Sequence, residues 1–179
     1  MDIINKTKII VLIIFSLSFQ STLSQTDKEM YEIVSVVVNY NNPELSIVDT
    51  LNPISIRSNF LMKQITEKVT LNRKQKKILK GKVDNSGGLI IDKTKLPNFK
   101  FYLHSEVSNI FQNLSADSEA INLLNEKKPF YVFSKPVIFL EINIAFINMD
   151  LIGGFGAIYI LEKKNDKWII KDSIGKWYS

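Results

Sequence analysis

Cysteine is absent from this chain of 179 residues, and histidine occurs once, at His104. The first absence excludes disulfides, so an exported form of the chain would depend on packing alone. A zinc site needs three or four histidine, cysteine or carboxylate ligands, and here only carboxylates are available in number. Carboxylates favour calcium, but the sequence contains no Asp-x-Asp-x-Asp-Gly loop. We therefore expect neither a metal site nor a cofactor.

Arginine is also scarce: Arg57 and Arg73 are the only two among 23 basic residues, although the net charge is +5. Proteins that recognise nucleic acids use the planar fork of arginine for phosphates and bases. We therefore expect no nucleic-acid partner. A lysine-rich helix predicted from Leu71 to Lys80 could touch anionic lipid or polysaccharide, but it carries few large apolar residues. We interpret that helix as having a solvated face, and we expect Ile78 and Leu79 to be buried.

Residues 1–24 are typical of a secretory signal peptide. Lys6 and Lys8 precede an apolar run from Ile9 to Phe19, and Thr22-Leu23-Ser24 provides a small-residue cleavage signal. The apolar run is shorter than the roughly 20 residues of a membrane-spanning helix. We expect an exported chain that starts near Gln25 and resides in the periplasm, on the outer surface or outside the cell. After cleavage it would have no transmembrane segment.

The remaining residues, 25–179, have the length of one domain. Apolar residues at helical spacing predict a first helix from Thr26 to Asn39, and weaker patterns predict helices at 71–80 and 116–126. Residues 59–65 fit a strand or a helical turn. Short apolar runs predict strands, most of them after Phe130. The pattern indicates an α+β fold, in which an antiparallel sheet is covered by the N-terminal helix and one or two shorter helices.

The last two predicted strands are joined by Asn165-Asp166, a connection suited to a tight hairpin. A two-residue loop at this point predicts three cross-strand pairs. They are Lys163 with Trp168, Leu161 with Ile170, and Tyr159 with Asp172.

The C-terminal third also resembles a family of small uncharacterised exported proteins of Bacteroidota. The shared features are a Ser-x-Pro strand, a glycine-rich hairpin, a lysine-asparagine turn followed by Lys-Trp, and a terminal tryptophan. Here they correspond to Ser134-Lys135-Pro136-Val137, Gly153-Gly154-Phe155-Gly156, Lys164-Asn165-Asp166-Lys167-Trp168 and Trp177-Tyr178-Ser179. Two features differ from the family pattern: the glycine cluster has no cysteines, and residues 140–143 replace an Asp-Gly turn. The resemblance covers roughly residues 130–179 and implies export and architecture, without an activity.

No motif in the sequence marks a catalytic centre. His104 lies between strand-like apolar residues, and no Gly-x-Ser-x-Gly elbow accompanies it. Glu29 and Glu32 share a face of the first helix, where we expect them to be solvated. The glycine cluster lacks the spacing of a phosphate-binding loop. We therefore predict no catalytic residue and favour a protein that is not an enzyme.

Two groups of residues are candidates for binding. Asp150 with Gly153, Gly154 and Gly156 could approach a ligand closely, although the glycines also suit a bend between strands. Trp177 and Tyr178 could anchor a partner or pack back onto the domain. The most plausible function is a non-catalytic binding or interaction domain of the cell envelope, with a protein or glycan partner. The alternative is a small envelope hydrolase that uses carboxylates such as Asp150 or Glu141.

Overall fold

A computed structural model describes most of the chain after the expected signal peptide. The described residues are 27–54, 56, 58–80, 88–113, 129–152 and 154–178. The signal peptide, the helix predicted at 116–126 and the binding candidate Gly153 lie outside them. None of the described helices is long and apolar enough to cross a membrane.

The described part contains four α-helices and eight strands, and the last five strands follow one another without an α-helix between them. The helices are α1 (27–41), α2 (Asn59–Lys68), α3 (Arg73–Leu79) and α4 (His104–Asn113). The strands are β1 (Ser46–Asn52), β2 (Leu89–Ile90), β3 (Phe101–Tyr102), β4 (Phe130–Ser134), β5 (Val137–Phe139), β6 (Ile144–Leu151), β7 (Phe155–Lys164) and β8 (Lys167–Tyr178).

The strands form one sheet in the order β2-β1-β4-β6-β7-β8, in which β3 also pairs with β1 and β5 with β6. The predicted α+β fold is confirmed. The sheet is mixed: β4, β6, β7 and β8 are antiparallel neighbours, whereas β1 runs parallel to β3 and β4. Parallel neighbours need a long crossover connection, and residues 53–129 between β1 and β4 supply it.

The hairpin of β7 and β8 has the predicted two-residue turn. Asn165 and Asp166 both have positive φ angles, 49° and 58°, as the favoured hairpin turn requires. Two of the predicted cross-strand pairs are confirmed, Lys163 with Trp168 and Leu161 with Ile170.

The third predicted pair is wrong because β8 contains a bulge. Asp172 lies opposite Ile160, and Tyr159 lies opposite Ser173, since one extra residue of β8 is accommodated between Ile170 and Asp172. The bulge turns Asp172 towards α2, where its carboxylate binds Lys68 Nζ at 2.5 Å. This ion pair lowers the pKa of Asp172.

Both faces of the sheet are covered by helices. On one face, α1 packs its stripe of Met30, Ile33, Val34, Val37 and Val38 against inward side chains of β1, β4, β6, β7 and β8. On the opposite face, α2 and α3 cover a second apolar cluster over β6 and β7, and α4 covers a third over β1 and β4. The second and third clusters are separate on that face.

Local caps define the short helices. Ser58 accepts a hydrogen bond from Phe60 N at the start of α2, so the segment that fitted either a strand or a helical turn is a helix. Asn72 and Gln75 form a reciprocal capping box on α3. The expectation that Ile78 is buried is wrong: it is 46% exposed, because α3 turns Gln75 and Leu79 towards the protein.

Helix α1 is attached to the β7–β8 hairpin by Glu29. The side chain of this glutamate was expected to be solvated, but only 4% of the residue is exposed. Its carboxylate accepts hydrogen bonds from Trp168 Nε1 and from Lys163 Nζ, the latter at 2.5 Å. One turn later, Glu32 accepts a hydrogen bond from Trp168 N at 3.1 Å. A buried charge is tolerated only when it is paired in this way.

Replacing Glu29 should therefore destabilise the fold more than replacing Glu32. Glu29→Gln leaves the Lys163 ammonium without its counter-charge, and we expect a loss of about 3 kcal/mol in the free energy of unfolding. The matched control Glu32→Gln removes a half-buried negative charge but keeps an oxygen that can accept from Trp168 N, and it should cost about 1 kcal/mol or less. Urea unfolding measures both values, and equal losses would contradict the role of Glu29.

The same contact predicts a dependence on alkaline pH. The hydrogen bond to Glu29 raises the pKa of Lys163 above its ordinary value of 10.5. A raised lysine pKa stabilises the folded state below the ordinary value, and this contribution disappears as the pH rises through the raised value. The difference in stability between the wild type and Glu29→Gln should thus be constant from about pH 7 to about pH 10 and shrink above it.

Candidate functional site

A row of polar side chains separates the second and third apolar clusters on one face of the sheet. Ile144 and Phe146 of β6 belong to the cluster under α2 and α3, and Ile152, just after the strand, packs with the cluster under α4. The two residues that face the same way between them are Asn148 and Asp150, because side chains alternate along a strand. The apolar cover of this face is interrupted there.

Hydrogen bonds fix the orientation of these polar groups. Ser134 on β4 is only 4% exposed, and its Oγ accepts a hydrogen bond from Asn148 N at 2.9 Å. Asn148 Nδ2 in turn donates to Asp150 Oδ2 at 3.0 Å. The Asp150 carboxylate is therefore positioned by a neighbour that is itself attached to the adjacent strand.

Helix α4 supplies the wall opposite β6. Asp49 on β1 accepts a hydrogen bond from His104 N at 2.8 Å and forms an ion pair with Lys93 at 3.1 Å. This contact holds the first turn of α4 against the sheet, as a capping carboxylate does at a helix N-terminus. One turn along the helix, Ser108 Oγ lies 3.2 Å from His104 Nε2.

Together these elements enclose a cavity of about 280 Å³. Its apolar walls come from β1, β4, α4 and the end of β6, and its polar groups converge from β1, β6 and α4. The lining residues are Val48, Thr50, Asn52, His104, Val107, Ser108, Val132, Asp150 and Ile152. Apolar walls with a few placed polar groups are typical of small-ligand sites.

The structure brings some of the predicted binding residues together. Asp150 lines the cavity. Gly156 lies directly opposite Asp150 on β7 and opposite Trp177 on β8, so the three share one rung of the sheet. Tyr178 lies opposite Phe155. Trp177 and Tyr178 are therefore part of a paired strand, and their backbone does not form a free tail.

Gly154 has a structural role in the turn between β6 and β7. Its N–H donates to Leu151 O at 2.9 Å. A Cβ at this position would lie 2.8 Å from Leu151 Cδ2, closer than real contacts allow. The bend expected from the glycine cluster is thus present. It lies beyond the end of β6, adjacent to the strand position of Asp150.

Sequence reasoning missed the contributions of His104, Ser108, Thr50 and Asn52. His104 was placed among strand-like residues, but it is the first residue of α4. His104 and Ser108 are four residues apart, so predicting a helix here would have placed their side chains next to each other. The sequence around Thr50 and Asn52 did not indicate a binding site. These residues line the cavity only because β1 pairs with β4.

The two carboxylates of the predicted hydrolase do not converge. Glu141 precedes β6 and Asp150 lies near its end, so most of the strand, about 20 Å, separates them. Glycosidase pairs need about 5 to 10 Å. A hydrogen bond from Gln75 lowers the pKa of Glu141, which is opposite to the shift that a general acid needs. Within the described ranges, no group of three or more metal-binding side chains occurs.

A second, wider groove of about 770 Å³ lies between α1 and the segment from Asp92 to Phe99. Tyr31 crosses it and accepts a hydrogen bond from Asp92 N at 3.0 Å. Its rim carries both acidic side chains and lysines, so it does not favour a ligand of either charge. One wall of the groove includes Asp27, which is the first described residue. The described residues therefore do not define the whole of this groove.

Comparisons with known proteins give no relative for this chain. No family model matches it, and neither the curated proteins nor the solved structures include a significant match. The functional argument therefore depends on the geometry of the cavity.

The hydrogen bond from Asn148 N to Ser134 Oγ should contribute measurably to stability. Ser134→Ala removes the acceptor and leaves this backbone N–H without its partner, which should cost about 1–3 kcal/mol in the free energy of unfolding. Ser173→Ala, at a half-buried serine of β8 outside the cavity, is the matched control and should cost less. Urea unfolding compares them, and equal effects would contradict the ordering role of Ser134.

Proposed function

We propose that this protein is an exported component of the cell envelope that binds a small ligand in the β1–β4–β6–α4 cavity without transforming it. The observation that carries the proposal is the cavity itself, where polar groups from three elements converge between apolar walls. The signal-like residues 1–24 support the compartment. Asp150, which the sequence suggested, is one of the converging groups.

The size and chemistry of the cavity favour a small, hydroxyl-bearing ligand. Its volume of about 280 Å³ is just below the roughly 300–1,000 Å³ of typical small-molecule sites. Its described polar groups are hydroxyls, a side-chain amide, an imidazole and a carboxylate, and no lysine or arginine is among them. Such groups suit the hydroxyls of a sugar, while the valine and isoleucine walls suit its apolar faces. One sugar unit of an envelope glycan is the class that we propose.

A titration with simple sugars tests this proposal. We expect N-acetylglucosamine, galactose or a related monosaccharide to shift the amide resonances of Thr50, His104 and Asp150 in ¹H–¹⁵N spectra. Val132→Phe places a ring in the cavity and should weaken binding at least about tenfold by excluding the ligand.

Val137→Phe provides the matched control, because Val137 is also a half-buried strand valine but does not line the cavity. This variant should bind like the wild type. Shifts that persist in Val132→Phe, or no shifts around the cavity with any sugar, would contradict the proposal.

A small hydrolase is the second candidate, and one observation favours it. Ser108 Oγ and His104 Nε2 are within hydrogen-bond distance at the cavity wall, as a nucleophile and its general base must be. Among the described residues, no acceptor is recorded for the other ring nitrogen of His104. The pair therefore lacks the orienting group of a triad.

Ester hydrolysis distinguishes the two candidates. If the cavity only binds, p-nitrophenyl acetate should be hydrolysed no faster by the wild type than by Ser108→Ala, and a fluorophosphonate probe should not label Ser108. Covalent labelling of Ser108, together with a rate that falls at least about a hundredfold in Ser108→Ala, would favour the hydrolase.

A further inference from the structure

A second functional surface lies on α3, on the outer side of the cluster that α2 and α3 cover. Only Gln75 and Leu79 of this helix are buried. Its exposed side chains include five cations in eight positions, without an acid between them. They are Arg73, Lys74, Lys76, Lys77 and Lys80, the last just after the helix end.

Exposed apolar side chains flank these cations. Ile78 is 46% exposed in the helix itself. At one end, Lys80 Nζ donates to Asn59 Oδ1 at 2.9 Å, which places the neighbouring Phe60, 66% exposed, beside the helix. At the other end, Gln75 Nε2 donates to Glu141 Oε1 at 2.8 Å.

That hydrogen bond brings the turn at Leu140–Ile142 against α3. Leu140 and Ile142 are both exposed, and the carboxylate of Glu141 between them accepts the hydrogen bond from Gln75. We call the whole surface the α3 face: the five cations, Phe60, Ile78, Leu140 and Ile142. Cations interspersed with exposed large apolar side chains form a combination that is unusual for a solvated helix.

We propose that the α3 face docks the protein on the surface of a bilayer that contains anionic phospholipids. Lysine and arginine near such a surface are attracted by the anionic headgroups. Phe60 and Ile78 can enter the boundary between headgroups and acyl chains, where partly buried apolar side chains add to the affinity. The exposed apolar side chains of the α3 face favour a lipid surface as the partner, because a soluble polyanion would bind only to the cations.

This surface reverses the sequence-based interpretation of the helix as solvated. That interpretation depended on the shortage of apolar side chains and on a buried Ile78. The fold exposes Ile78 and adds Phe60, Leu140 and Ile142 from other segments. The docking proposal is independent of the cavity and of its ligand.

Co-sedimentation with vesicles of the purified chain without its signal-like residues 1–24 tests it. We expect binding to vesicles of phosphatidylcholine with about one third phosphatidylglycerol, weakened by salt, and little binding to phosphatidylcholine alone. Lys76→Glu with Lys77→Glu should lower the partition coefficient at least about 25-fold, since each basic residue contributes about fivefold. Phe60→Ser with Ile78→Ser should lower it about tenfold.

The matched control for charge is Lys95→Glu with Lys100→Glu, two exposed lysines on the segment beside α1. This variant makes the same change in net charge away from the α3 face. Its partition coefficient should stay within about threefold of the wild-type value. All the substituted side chains are exposed, so circular dichroism should show each variant folded.

The proposal is overturned if anionic vesicles do not bind the wild type, or if the control loses binding as fully as the Lys76–Lys77 variant. It is also overturned if charge reversal abolishes binding while Phe60→Ser with Ile78→Ser changes nothing. That last result would assign the face to a soluble polyanion.

Discussion

The buried carboxylate of Glu29 is the contact on which the arrangement of the fold depends. It joins α1 to Lys163 and Trp168, on the two strands of the C-terminal hairpin. Glu32 satisfies the outward N–H of Trp168, so the same helix also protects an edge strand that could otherwise pair with other chains. With α1 held in place, a single long helix packs across one face of the sheet. The opposite face is left to shorter helices.

The division of that opposite face explains why it can carry a site. Helices α2 and α3 cover one apolar cluster and α4 covers another, so a gap remains above β4 and β6. Polar side chains occupy the gap because they are hydrogen-bonded to each other and to the backbone, as with Ser134, Asn148 and Asp150. A buried polar row between apolar clusters costs stability unless it is satisfied, and here Asn148 Oδ1 is buried without a hydrogen-bond partner among the described residues. Its persistence here is consistent with a role in binding.

Local signals predicted the parts of the fold that depend on local chemistry. Asn165-Asp166 and the alternation around it predicted the hairpin, and the pattern at residues 71–80 predicted a helix where α3 lies. Contacts between distant segments gave no such signal. Glu29 and Lys163 are 134 positions apart, so the burial of Glu29 was not predictable. Asp150 was identified by its glycine neighbours, whereas Thr50 and Ser108 reach the cavity only through strand pairing and the docking of α4.

The central claim is that the cavity holds a small ligand in the cell. Native mass spectrometry of the protein purified from the cells that naturally produce it tests this claim most directly. The account predicts that the wild type and Val137→Phe carry one additional small mass and that Val132→Phe does not. Bare protein in all three samples, or the same additional mass on Val132→Phe, would contradict it.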